Sequence, residues 1–87
     1  MIFKAFEWDE NNIEHILRHH VVPDEIEEAC LNKPYIRKTL DNRYLIYGIT
    51  DDGRHLIIIG INKGKGIFRT ITARDMTERE KSFYKRR

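Results

Sequence analysis

A chain of 87 residues, 40% hydrophobic and 34% charged, is long enough for one domain over residues 1–87 but too short for two. It buries only roughly 60–65% of its unfolded surface. That composition excludes a disordered chain, and the longest apolar run, Leu56 to Ile61 with Gly60 inside it, has the length of a strand, so no membrane segment is expected. The net charge of +2 conceals a segregation: residues 1–32 hold two cations against eight carboxylates, a net of −6, and residues 33–87 hold fourteen against six, a net of +8. Such a split suggests a polyanion as partner of the basic portion and a basic protein segment as partner of the acidic one.

The first residues lack the basic stretch and apolar run of a secretory signal. The single cysteine, Cys30, cannot close an internal disulfide, so a reducing cytoplasm is the expected setting. Cys30 reads as a small buried apolar residue without chemistry.

In chain order, Ile2 to Glu7 reads as a short strand, and Asp9 is placed to cap a helix through Arg18 whose buried stripe is Ile13, Ile16 and Leu17. Pro23 cannot continue that helix but suits the first turn of a second, where Asp24, Glu25, Glu27 and Glu28 complement the positive helix end. Ile26, Ala29 and Cys30 face inward. After Pro34 the apolar period falls from about 3.6 to 2 through Tyr35 to Leu40, Arg43 to Thr50, Arg54 to Ile61 and Ile67 to Thr72. The junctions Asp41-Asn42, Asp51-Asp52-Gly53 and Asn62 to Gly66 suit hairpin turns. A four-stranded antiparallel meander follows. Thr77 to Glu80 is a capping-box sequence that starts a last helix carrying Phe83 and Tyr84. The fold class is therefore α+β: a meander with a short N-terminal strand, two N-terminal helices and one C-terminal helix.

No metal site is expected, because there is no cysteine pair and His15, His19 and His20 do not combine with carboxylates at a familiar ligand spacing. No cofactor is expected either, since Gly64 and Gly66 lie in a hairpin turn and not before a helix. The better constellation is Arg43, Arg54, Arg69 and Arg74 with His19 or His20. Cleaving RNA without a metal requires a base for the 2′-hydroxyl, an acid for the leaving 5′-oxygen and cations for the charge gathering on phosphorus. Histidine and arginine are suited to these roles.

The segments Phe6-Glu7-Trp8-Asp9, Arg18-His19-His20-Val21 and Arg69 to Arg74, followed by Glu80 and Tyr84, together resemble the BrnT family of toxins over nearly the whole chain. The resemblance implies a RelE-like fold, metal-independent endoribonuclease activity that stops translation, and neutralisation by a cognate antitoxin with a ribbon-helix-helix domain. On this reading Arg69 and Arg74 hold the phosphate and its transition state, and His19 is the acid or base. Glu80 and Tyr84 are further catalytic candidates, while Arg43, Arg54, Lys63 and Lys65 position RNA. The alternative is a non-catalytic module that binds RNA or protein on the same surface. Two departures stand out: His20 occupies a position where the family favours glycine, and Val22 one where a capping serine is common.

Overall fold

A computed structural model describes residues 3–87. Its elements are β1 (Ala5–Glu7), α1 (Glu10–Leu17), α2 (Pro23–Leu31), β2 (Tyr35–Lys38), β3 (Arg43–Ile49), β4 (His55–Gly64), β5 (Ile67–Asp75) and α3 (Glu78–Arg86). Strands β2 to β5 form the expected antiparallel meander, and β1 adds to it in parallel against β5, giving the order β1-β5-β4-β3-β2. The expected first strand began at Ile2, which lies outside the described residues. Three others differ in length by more than one residue. The second strand ends at Lys38, leaving Leu40 exposed, β4 runs past Ile61 to Gly64, and β5 continues to Asp75, which brings Arg74 into the sheet.

The cross-strand registers sort the sheet into two faces. Ile46, Leu56, Ile58, Phe68 and Ala73 pack with Ile16, Val21, Ile26, Ala29 and Cys30 of the N-terminal helices. On the other face Tyr47, Ile57 and Met76 pack with Tyr84 of α3, joined by Tyr35 and Phe83. Helix α2 lies so close to β3 that a Cβ at Gly48 would run into the carbonyl of Ala29. Burial pushes the Cys30 thiol up to about 12, so it stays protonated and inert, as expected of a core residue.

The predicted stripe of α1 needs correction. Only Ile16 is fully buried, while Ile13 and Leu17 are 37% and 54% exposed. The reason lies in the helix start. Asp9 caps it as expected, accepting from the backbone N–H groups of Asn11 and Asn12, and the Asn12 side chain accepts from the Asp9 N–H. Asn12 also donates to the carbonyl oxygens of Glu7 and Thr70 at 2.9 and 3.2 Å. These bonds turn Asn12 and Ile16 inward and the Ile13–Leu17 side outward.

The end of α1 explains the His20 departure. His20 N–H donates to the Leu17 carbonyl and Val21 N–H to that of Ile16, the paired bonds of a Schellman closure, with His20 at φ 59° as its left-handed residue. Val21 and Ile16, both fully buried, provide the apolar contact beneath it. Val22 offers no side-chain cap to α2, and Glu25 compensates from within the helix by accepting from the Val22 N–H at 3.1 Å.

The exposed His20 side chain imposes backbone strain without packing, so His20→Gly is expected to raise stability by about 1 kcal/mol. Gly48→Ala is expected to lower it by about 2 kcal/mol, because the helix must move off the sheet. Urea unfolding of the two variants against the parent protein measures both.

Candidate functional site

The candidate residues gather at two ends of the sheet. At one end Arg43 and Arg69 flank Ile61 in a single cross-strand row, Arg43↔Ile61 and Ile61↔Arg69. Lys63 and Lys65 extend from the neighbouring β4–β5 hairpin. At the other end stand Arg54, Arg74, Glu80 and His19, where β4 begins, β5 ends and two helices meet the sheet. Arg69 and Arg74 are five residues apart on β5, about 16 Å along an extended strand, so they do not share one phosphate.

Arg54 is wholly engaged with the protein. Its Nε and Nη2 donate to the Asp75 carboxylate at 2.7 and 3.1 Å, Nη1 to the carbonyl of His20 and to Glu25, and Nη2 to the carbonyl of His19. Every N–H of the guanidinium has an acceptor. A cation at the carbonyl end of α1 is also where the helix dipole favours one. The hydrogen bond and charge of Arg54 hold the Asp75 carboxyl below its ordinary range, and the charges of Lys81 and His19 add a smaller pull.

Arg74 and Glu80 form a two-pronged pair at 2.7 and 2.9 Å, and Glu80 simultaneously accepts from the Thr77 N–H as the reciprocal half of the expected capping box. The hydrogen bond from Arg74 takes the Glu80 carboxyl down to about 2, so Glu80 remains an anion at neutral pH and a weak proton acceptor. It orients Arg74. The Tyr84 hydroxyl is spent on the Lys33 carbonyl at 2.9 Å, and its ring packs edge-on to His55, so Tyr84 fastens α3.

Arg69 bonds Asp9 at 2.8 and 3.2 Å and Glu7 at 3.1 Å. The hydrogen bond from Arg69 is the main cause that holds the Asp9 carboxyl below its ordinary range. Beside this cluster an open cleft of about 180 Å³ is lined by Asn11, Asn12, His15, Arg69, Thr70 and Ile71. It is smaller than the roughly 300–1,000 Å³ typical of small-molecule pockets, and suits a subsite for part of a longer ligand. It lies where β1 has ended and a bulge at Ile71 shifts the β5 register. Asn11 and Asn12 are not among the expected site residues, and His15 enters the sequence reasoning only as a metal ligand. His15 lies one helical turn before His19, with 6.5 Å between ring centroids.

Strand alternation sends Arg74 to the α3 face beside Ile57, and Asp75 to the other face beside Leu56. The edge of β5 beyond Arg69 has no strand partner among the described residues. Between the two arginines, half-buried Leu45, Ile59 and Thr72 floor the part of the sheet that α3 leaves open. Cationic rims, a partly apolar floor and an accessible edge with histidines are features that suit a single-stranded polyanion with stackable bases.

Residues 8–80 match the family described as ribonuclease toxin, BrnT, of type II toxin-antitoxin system. The chain belongs to this family. The BrnT match covers Arg43, Arg54, Arg69, Arg74 and His19 and ends at Glu80, leaving Tyr84 outside it. Membership in BrnT carries with it an RNA substrate and an antitoxin partner. No curated protein matches the chain closely enough for comparison. Among the described residues no helix is long and apolar enough to cross a membrane.

The paired carboxylates make stability depend on pH. Glu80 has a folded pKa of about 2, below its ordinary 4.5, and Asp9 and Asp75 are lowered too. Groups with depressed pKa values stabilise the fold above their unfolded values, and that contribution is lost as pH falls through the folded ones. The melting temperature is therefore expected to fall steadily between about pH 5 and 2, and less steeply in Glu80→Gln. Replacing Arg54 by alanine leaves Glu25 partly buried without its cation and two carbonyls without donors. It is expected to cost about 2 kcal/mol in urea unfolding, most of it from these groups because Asp75 is 63% exposed and screened.

Proposed function

We propose that this chain is a metal-independent endoribonuclease toxin that cleaves single-stranded RNA, messenger RNA included, and so stops translation in the cytoplasm until a ribbon-helix-helix antitoxin silences it. The observation that carries the proposal is the junction at the end of β5, where Arg74 and Asp75 leave the strand on opposite faces and Arg54 ties the Asp75 carboxylate to the backbone of His19, beside an open sheet face rimmed by arginines. RNA lies across that face with its phosphates near Arg43, Lys63, Lys65 and Arg69, and bends over the strand end. The 2′-oxygen attacks phosphorus as its proton leaves to a base, the P–O5′ bond breaks, and the 5′-oxygen takes up a proton, leaving a cyclic 2′,3′-phosphate. His19 handles one of these protons. Arg74 faces the extra charge on phosphorus, and Arg69 holds a neighbouring phosphate after loosening its bonds to Glu7 and Asp9. Arg54 acts by keeping His19 in place.

A second reading, RNA binding without cleavage, draws support from one feature. Arg54, Arg69 and Arg74 are all paired with carboxylates, which lowers the field available to a substrate.

Purified protein is expected to degrade single-stranded RNA in EDTA, with Arg74→Ala and Arg69→Ala slower by about 10²-fold and His19→Ala by about 10²–10⁴-fold at nearly unchanged RNA affinity. Lys63→Ala and Lys65→Ala should instead weaken binding modestly and each reduce its salt dependence, by about 0.7 in slope. Melting curves accompany each variant. Intact RNA at a large excess of folded protein would establish the binding reading, and strict dependence on a divalent ion would refute the mechanism.

A further inference from the structure

The outward side of α1 is unused by anything described so far. A repeat of 3.6 residues per turn puts Glu10, Ile13, Glu14 and Leu17 on one side of the helix, opposite the buried Asn12 and Ile16. All four are exposed, with Ile13 at 37% and Leu17 at 54%, and Val22 just past the turn is 43% exposed. Single apolar residues on a surface need no explanation. Two of them one turn apart on an eight-residue helix, bracketed by acids, form a patterned stripe.

Most carboxylates of the acidic third are engaged within the fold; exposed Asp24 on α2 is not, and neither are the two on the stripe. Glu7 and Asp9 are bound to Arg69, Glu25 to Arg54, Glu27 to the Trp8 indole and Glu28 to the Asp51 backbone. Glu10 and Glu14 have no hydrogen bond or ion pair to side chains among the described residues. The stripe therefore combines two apolar anchors with two unspent anions.

We infer that the outward face of α1, formed by Glu10, Ile13, Glu14 and Leu17, is a docking site for the cognate antitoxin, which grips it with a basic amphipathic segment. The inference rests on the toxin reading for the existence of that partner, and on charge and pattern for its chemistry. An amphipathic helix presents apolar anchors at i, i+3/i+4 and i+7, the spacing that Ile13 and Leu17 can receive, and lysines or arginines beside its anchors meet Glu10 and Glu14. RNA is repelled by those carboxylates. A second copy of this chain would have to bring one of its basic surfaces against this acidic stripe, and that contact is heterologous, so it would propagate instead of closing into a dimer. A segment docked here lies alongside the helix that carries His15 and leads into His19, so binding and silencing are linked through α1.

The test uses the intact toxin with the small protein encoded by the reading frame adjacent to its gene. Affinity is measured by calorimetry for the parent toxin, Leu17→Ser, Ile13→Ser with Leu17→Ser, and Glu10→Gln with Glu14→Gln. The apolar double variant is expected to bind about 100-fold more weakly and the charge variant about tenfold more weakly, with a flatter salt dependence. RNA cleavage by each free variant should match the parent, because these residues lie outside the cleaving surface. Melting temperatures report folding, and loss of exposed side chains should leave them within a few degrees. Undiminished affinity in the folded double variant overturns the docking site. So does concentration-dependent self-association of the parent that the same substitutions abolish, which would assign the stripe to a second copy. If the parent cleaves no RNA yet binds the antitoxin through α1, the docking site stands and the catalytic reading falls.

Discussion

One guanidinium ties the molecule together. Arg54, at the start of β4, simultaneously holds the carbonyl end of α1, the first turn of α2 and the last residue of β5. Planarity and donor number suit arginine to such a junction, whereas a lysine ammonium could not serve two carboxylates and two carbonyls in a fixed fork. Without the clamp, the strained Schellman closure at His20 would keep only its two backbone hydrogen bonds and the Ile16–Val21 contact. With it, the His19 backbone and the Asp75 carboxylate are tied to the same guanidinium and the two N-terminal helices share one anchor on the sheet.

The same chemistry reshapes the charge distribution. In sequence the chain is divided into an acidic third and a basic remainder, yet in space Arg69 is bound to Glu7 and Asp9, and Arg54 to Glu25. Two cations of the basic portion thus neutralise part of the acidic third internally. The cations left for a polyanion include Arg43, Lys63 and Lys65 at the hairpin end, and the anions left for a basic partner include Glu10 and Glu14. Ion pairs exposed to this degree add little stability individually. Their larger effect is geometric, since each fixes a side chain that would otherwise sample many rotamers.

The fold was largely legible because its signals are local. The period of 2 after Pro34, the Asx-Gly turns, the capping sequences at Asp9 and Thr77 and the helix start at Pro23 all appear in the structure. What escaped was long-range. Nothing near Ala5 announces that it pairs in parallel with Ile67, and the apolar spacing of α1 does not disclose that Asn12, through bonds to Glu7 and Thr70, displaces Ile13 and Leu17 from the core. The site was legible in its residue types and less so in its geometry. Arginine identity gave no sign that Arg54 spends every donor on the protein or that Arg69 and Arg74 stand at different ends. The cleft at His15 depends on a bulge in β5, for which Ile71 carries no distinctive side chain.

The central claim is that Arg54 serves the reaction by placing His19 and not by touching RNA. Single-turnover cleavage in a double-mutant cycle of Arg54→Ala and His19→Ala, run well below the melting temperature of each variant, tests it most directly. The account predicts that each single variant is slowed by a similar factor, that the double variant is scarcely slower than either, and that RNA affinity is little altered by the Arg54 change. Additive losses, or an Arg54 variant whose deficit resides in RNA binding, would contradict it.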